Sequence, residues 1–214
     1  MDIICVHGWG HNGAIWDDLA PMLDGWVRRV DLGFVKGAED LAEPELPELY
    51  GALYIGHSLG AMWLLPRIAS LNPAGFVSIG GFDHFLHAND AKTPTVLKAM
   101  KAGLKRRPYQ QMRDFWQAAG TPDYAQESQL NFSNLMEGLK LLESGAESAS
   151  LKALCCPVLA LAGSEDKIVP KRMSRKIWED FDLRILEGGD HTLPFSAPEW
   201  CALQINDFIE GLYD

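Results

Sequence analysis

Short runs of consecutive apolar residues alternate along this chain with longer stretches of helical periodicity. The runs predict strands at 3–7, 27–32, 52–57, 75–80, 156–162 and 183–187, and the longer stretches predict helices at 13–23, 59–71, 171–180 and 197–212. Strands that are apolar at nearly every position are buried on both faces. The alternation therefore predicts an α/β fold with a mostly parallel sheet of about six strands and helices on both sides. The stretch from Gly81 to about Ser150 departs from this pattern. It has no strand run, keeps a helical period, and is interrupted at Gly103, Pro108, Gly120 and Pro122. Lying between two predicted core strands, it reads as a helical cap at about 82–150, inserted in a single domain spanning 1–214. The chain shows no internal repeat and no low-complexity tract.

One strand prediction ends in chemistry. Ala52-Leu53-Tyr54-Ile55 runs into Gly56-His57-Ser58-Leu59-Gly60 and then into helix-forming residues. A Gly-x-Ser-x-Gly on a strand–turn–helix corner holds a serine hydroxyl clear of the backbone. Taken alone, Ser58 is an ordinary turn serine, and a hydroxyl is a weak nucleophile without a base, an acid to orient that base, and oxyanion donors. Candidates for each follow predicted strands. His191 lies on Glu187-Gly188-Gly189-Asp190-His191, and an imidazole is the side chain suited to taking a serine proton and returning it to a leaving group. Asp166 lies on Gly163-Ser164-Glu165-Asp166-Lys167, with Glu165 as its nearest competitor for orienting the imidazole. After the first strand comes His7-Gly8-Trp9-Gly10, where the Trp9 amide is the candidate to pair with the Leu59 amide around an oxyanion. His7 on that loop is read as a structural brace and not as the base. The order Ser58, Asp166, His191 matches the α/β-hydrolases and neither the chymotrypsin-like nor the subtilisin-like order.

Composition narrows the setting. A 214-residue chain with 47% hydrophobic residues has ample core for one domain. Cys5, Cys155, Cys156 and Cys201 show neither a disulfide framework nor metal-ligand spacing, and no metal or cofactor is expected. The first residues enter a strand at once and no run is long enough to cross a bilayer. We therefore expect no leader, no stable membrane association and a cytoplasmic location. The formal charge is −10, yet no acidic residue lies between Asp90 and Asp114, where seven basic ones do: Lys92, Lys98, Lys101, Lys105, Arg106, Arg107 and Arg113. Interleaved apolar residues, Val96, Leu97, Met100, Leu104, Met112, Phe115 and Trp116, make this an amphipathic basic stretch. Such a stretch is a solvated helix face, a docking surface for an acidic partner, or a contact for anionic lipid. Strong negative charge elsewhere argues against nucleic acid.

The chain as a whole resembles the α/β-hydrolases, and within them the biotin-pathway esterases that demethylate pimeloyl-acyl-carrier-protein methyl ester, the BioH group. The resemblance rests on Val6-His7-Gly8-Trp9-Gly10-His11-Asn12 with Trp16, on Gly56–Gly60, and on Met136-Glu137-Gly138-Leu139-Lys140-Leu141-Leu142 leading to Leu151. It continues in Pro157–Gly163 with Asp166 and Val169-Pro170, then in His191-Thr192-Leu193-Pro194-Phe195 and Pro198-Glu199. It implies a Ser58–His191–Asp166 esterase with the Trp9 and Leu59 amides as oxyanion hole, acting on an ester held by an acyl carrier protein. The carrier is acidic, which suits Lys98, Lys101, Lys105, Arg106, Arg107 and Arg113. Met112, Phe115 and Trp116 are candidates to line the acyl tunnel. The chain starts at what corresponds to the family's third strand, so its N-terminal hairpin is not expected. No Pro-Gly-x-Gly loop follows Val30-Asp31-Leu32-Gly33, a Pro/Glu-rich link at Glu43–Glu48 replaces a helix, and the family's carrier-facing arginines do not align one for one. A monomer is expected. The readings that remain open are a short-chain carboxylesterase or thioesterase without a carrier, another reaction on this fold such as C–C hydrolysis or perhydrolysis, and a non-catalytic binding protein.

Overall fold

The computed structural model describes residues 1–36, 45–86, 93–145, 151 and 154–213. Lys92, parts of the predicted cap (87–92 and 146–150) and the start of the Glu43–Glu48 link lie outside the described residues. Six parallel strands form one sheet: β1 (Asp2–Val6), β2 (Trp26–Val30), β3 (Leu53–His57), β4 (Gly75–Ile79), β5 (Val158–Gly163) and β6 (Asp182–Leu186). Their spatial order is β2-β1-β3-β4-β5-β6. The chain steps outward from β1 to β2, then returns to the other side of β1 for β3 and all later strands. The switch point thus falls between β1 and β3, where open α/β sheets open a crevice beyond their carboxyl ends.

The four inner strands are buried almost without interruption, whereas edge strands β2 and β6 are largely exposed or half-buried. Alternate residues feed two cores. Ile3, Cys5, Leu53, Ile55, Val77 and Leu159 meet Trp16, Leu19 and α7 (Pro198–Gly211) on one face. Ile4, Val6, Tyr54, Phe76 and Ala160 meet α1 (Leu59–Ile68), α5 (Lys171–Ile177) and the intervening helices on the other. A one-turn helix, α6 (Leu193–Ser196), precedes α7.

Between β4 and β5 lie α2 (Thr93–Arg106), α3 (Pro108–Ala119) and α4 (Phe132–Ser144). Pro108 starts α3 at its first turn, where its missing amide costs nothing. Gly120 ends α3 with left-handed backbone (φ 109°) and donates its amide to the Trp116 carbonyl. Gly103 does not break the chain. It lies inside α2, and a Cβ there would stand 2.0 Å from Gln111 Oε1, so its smallness lets α2 and α3 approach.

The helix expected at 13–23 is replaced by two 3-10 turns, Gly13–Trp16 and Ala20–Met22. Ile15, Trp16, Leu19 and Leu23 have helical spacing and are buried, but Pro21 has no amide to bond back to Asp17 and the helix cannot propagate. Asn12 starts the first turn by accepting the Ala14 amide.

Candidate active site

β3 ends at His57, and Ser58 forms the corner into α1 with φ 53° and ψ −122°. A non-glycine residue at positive φ costs on the order of 1–3 kcal/mol and persists only where its surroundings force it. The surroundings here are glycines. A Cβ at Gly56 would lie 2.4 Å from Ala61 Cα, and one at Gly60 would lie 2.3 Å from the Val6 carbonyl oxygen. Their absence lets α1 fold back on β3 and press against the end of β1. The loop after β1 packs on the same corner, since a Cβ on Gly8 would sit 2.9 Å from Ser58 Cβ.

Ser58 Oγ lies 2.9 Å from His191 Nε2, and His191 Nδ1 lies 2.8 Å from Asp166 Oδ2. All three side chains are buried. The hydrogen-bond network assigns the proton to Nδ1, which donates to the carboxylate, leaving Nε2 to accept the serine hydroxyl. The other carboxylate oxygen, Oδ1, accepts the amides of Ile168 (2.7 Å) and Val169 (2.8 Å). Glu165 is exposed and its amide bonds to the Gly189 carbonyl, so it is Asp166 that meets the imidazole.

Trp9 and Leu59 are buried on either side of the corner, and neither backbone amide has a partner among the described residues. The Trp9 indole donates to the Leu135 carbonyl (2.8 Å) and so ties the loop to α4. The Trp116 indole donates to the Gly10 carbonyl (2.8 Å) and ties it to α3. His7 accepts the Leu32 amide at Nε2 (2.8 Å) and donates from Nδ1 to the Gly8 carbonyl (2.9 Å), linking the loop to the chain beyond β2.

Two further buried histidines matter that the sequence reading did not single out. His57 donates from Nε2 to the His191 carbonyl (3.0 Å) and accepts the Gly8 amide at Nδ1 (3.2 Å). It thus clamps the loop carrying Trp9 to the loop carrying His191. His11 donates from Nδ1 to the Trp9 carbonyl (3.1 Å) and accepts the Thr121 hydroxyl at Nε2 (2.9 Å). Burial, reinforced by neighbouring histidines, holds the pKa of His57 well below 6.5 and brings that of His11 down to about 3. Both are neutral clamps. The unfolded chain protonates them near 6.5, so unfolding takes up protons as the pH falls. Stability is therefore full above about 6.5 and is lost as pH drops toward 3, by at most about 1.4 kcal/mol per pH unit for His11, with His57 acting in the same direction. Urea unfolding from pH 6 to pH 4 should show this slope, and His11→Gln should remove about one proton's share of it. An unchanged slope in that variant would contradict the neutral assignment.

Above Ser58 is a cavity of about 330 Å³, lined by Trp9, Phe82, Phe85, Val96, Leu97, Met100, Phe115, Leu142, Lys167, Ile168, Pro170 and Arg172. α2, α3 and α4 each contribute to this wall. Of the three expected tunnel residues, only Phe115 lines it. Met112 and Trp116 are fully buried beside Gly10 instead, because the apolar face of α3 meets the β1 loop as well as the cavity. Among the six expected carrier-facing cations, Lys98, Lys105, Arg106 and Arg107 are exposed on or just after α2. Lys101 is paired with Glu143 on α4, and Arg113 with Asp123 (3.3 Å). Among the described residues no cluster of His, Cys, Asp or Glu is placed to hold a metal, and no helix is long and apolar enough to cross a membrane.

The serine corner at the switch point, the imidazole and the carboxylate lie in the arrangement of a hydrolase. The model of the Alpha/beta hydrolase family matches residues 3–204, and the chain belongs to that family. Within it, the chain is similar to the pimeloyl-[acyl-carrier protein] methyl ester esterase of Photobacterium profundum, with 25% identity over 98% of this chain and 94% of the relative. It is also similar to the protein of the same name from Vibrio atlanticus, with 29% identity over 82% of this chain and 80% of the relative. An esterase from Exiguobacterium antarcticum superposes with a TM-score of 0.77 at 13% identity, covering 98% of this chain and 92% of that one, a likeness of fold.

Proposed function

We propose that this protein is a serine carboxylesterase that hydrolyses the methyl ester of pimeloyl-[acyl-carrier protein] in the supply of a biotin precursor. The observation that carries the esterase reading is the chain of short hydrogen bonds from Ser58 through His191 to Asp166 at the floor of an apolar cavity. His191 takes the Ser58 proton as the oxygen attacks the ester carbonyl, and the amides of Trp9 and Leu59 hold the oxyanion. Each such donor is worth roughly a hundred- to a thousandfold in rate. Methanol leaves with the proton from His191, and a water molecule then repeats the sequence on the acyl-enzyme. Helices α2 to α4 act as the cap, inserted at about 82–150, and Phe115 contacts the acyl chain.

The carrier and the pimeloyl chain are supported by the names of the sequence relatives and by the cations on and after α2. A soluble short-chain esterase without a carrier is the second reading. It is favoured by Lys101 and Arg113, which are paired within the chain and so are partly withdrawn from any partner. Rates on pimeloyl-carrier-protein methyl ester and on p-nitrophenyl butyrate separate the two. The first reading expects a kcat/KM at least a hundredfold higher on the carrier-linked ester. Comparable values on both, or activity on the free ester alone, would leave an esterase without this partner.

A further inference from the structure

Trp9, whose amide is the candidate oxyanion donor, stands between Gly8 and Gly10, and Gly10 has left-handed backbone (φ 75°). Glycines leave the backbone without a Cβ to limit it, so nothing local holds the direction of this amide. Contacts from outside the loop do. His57 accepts the Gly8 amide (3.2 Å), and His7 donates to the Gly8 carbonyl (2.9 Å). His11 donates to the Trp9 carbonyl (3.1 Å), and the Trp116 indole to the Gly10 carbonyl (2.8 Å). Four consecutive peptide units are thus each held by a ring nitrogen. The buried Trp9 amide has no partner among the described residues, as a donor kept for a ligand requires.

A trans peptide points its N–H opposite to its C=O, so His7 at the Gly8 carbonyl turns the Trp9 N–H away from itself. One such contact leaves the unit free to tilt about it. A hold on the next carbonyl, beyond the Trp9 nitrogen, removes that freedom, and His11 supplies it. The ring is fully buried and neutral, so it has a single N–H. The Thr121 hydroxyl donates to Nε2 (2.9 Å), which keeps that proton on Nδ1, facing Trp9. His11 is not among the described residues lining the cavity, so it acts on the reacting atoms only through Trp9.

We propose that His11 is a positioning residue of the oxyanion hole, its Nδ1–H fixing the Trp9 carbonyl and thereby aiming the Trp9 amide at the oxygen that becomes negative. This rests on the esterase reading of Ser58 and on the Trp9 amide as an oxyanion donor. A donor acts at full strength when it is in place before the charge develops. A tilted amide therefore weakens binding of the transition state and leaves binding of the ester nearly as it was.

Isosteres at position 11 test it. Asparagine carries an NH₂ at the level of Nδ1 and still reaches Trp9, whereas glutamine places its polar atoms at the level of Nε2 and serves Thr121 instead. Each variant loses one hydrogen bond, so bracing alone predicts equal losses. His11→Gln should lower kcat/KM on p-nitrophenyl butyrate by about ten- to a hundredfold at nearly constant KM, less than the roughly hundred- to thousandfold of a whole donor. A trifluoromethyl ketone reads the hole directly. Ser58 Oγ adds to its carbonyl carbon, the serine proton passes to His191, and the carbonyl electron pair becomes an oxyanion facing Trp9 and Leu59. With His11→Gln its Ki should rise by the factor that kcat/KM falls, while His11→Asn stays within about threefold of wild type in both. Thr121→Val, which keeps the Nδ1 donor, should also keep both values. Fluorophosphonate titration counts the active sites, so partial unfolding does not enter the rates. His11→Leu has a donor at neither level and takes the place of His11→Gln if that chain does not fold. Wild-type Ki and kcat/KM in His11→Gln, or equal losses in His11→Gln and His11→Asn, overturn the positioning role and leave the esterase intact. A wild-type protein that neither hydrolyses the ester nor takes the label removes both.

Discussion

Ser58→Ala should lose about six orders of magnitude in kcat, the scale seen when the nucleophile of a triad is removed, while the fold remains. The substitution deletes one oxygen whose only described side-chain partner is His191 Nε2, so nothing else in the packing depends on it. The corner itself is set by Gly8, Gly56 and Gly60, which the variant keeps. Ser58→Gly gives a second, independent reading. It is equally inactive, yet it relieves the steric cost of positive φ at this position, so it should unfold at a temperature no lower than Ser58→Ala. Single-turnover assays and thermal unfolding measure both quantities. A fluorophosphonate adduct on the wild-type protein, absent from either variant, would mark the oxygen directly. Ser58→Ala turning over within tenfold of wild type would dismiss the nucleophile assignment.

How much of this was legible in the chain depends on how local the cause is. The serine corner could be read because its determinants are five consecutive residues between a buried strand and a helix, even though Gly60 makes room for the Val6 carbonyl, far away in sequence. Asp166 and His191 were found from strand ends, since a parallel sheet delivers all its carboxyl ends to one edge. The periodicity at 13–23 was real as a burial pattern but not as a helix, because Pro21 vetoes the backbone that the side chains would favour. Amphipathic spacing identified Met112, Phe115 and Trp116 as buried without saying against what. The β1 loop takes two of them and the cavity takes the third. Charge patterning was least reliable. It located the cations of α2, but the partner of Lys101 arrives from α4, 42 residues later. His57 was hidden for a different reason: it lies inside the motif, where its hydrogen bonds to Gly8 and His191 span 49 and 134 residues. Its signal is a polar residue at an otherwise apolar strand end.

Asp166→Asn should lower kcat by about four orders of magnitude, the drop a triad suffers when its acid becomes an amide, with little loss of stability. The amide can keep its oxygen on the Ile168 and Val169 amides, which hold this loop, so the backbone around it has no reason to move. Its NH₂ then faces His191 Nδ1. Two donors cannot share that contact, so the ring places its proton on Nε2 instead. A protonated Nε2 cannot accept the Ser58 proton, and the base is lost although every heavy atom stays in place. Asp166→Ala separates the two roles of the carboxylate: it removes the loop's acceptor as well, and should therefore be both inactive and less stable. Glu165→Gln, one residue away and exposed, should keep wild-type kcat. Thermal unfolding beside steady-state rates distinguishes these cases. If Asp166→Asn retained more than a tenth of wild-type turnover, or Glu165→Gln lost it, the acid of this site would be misassigned.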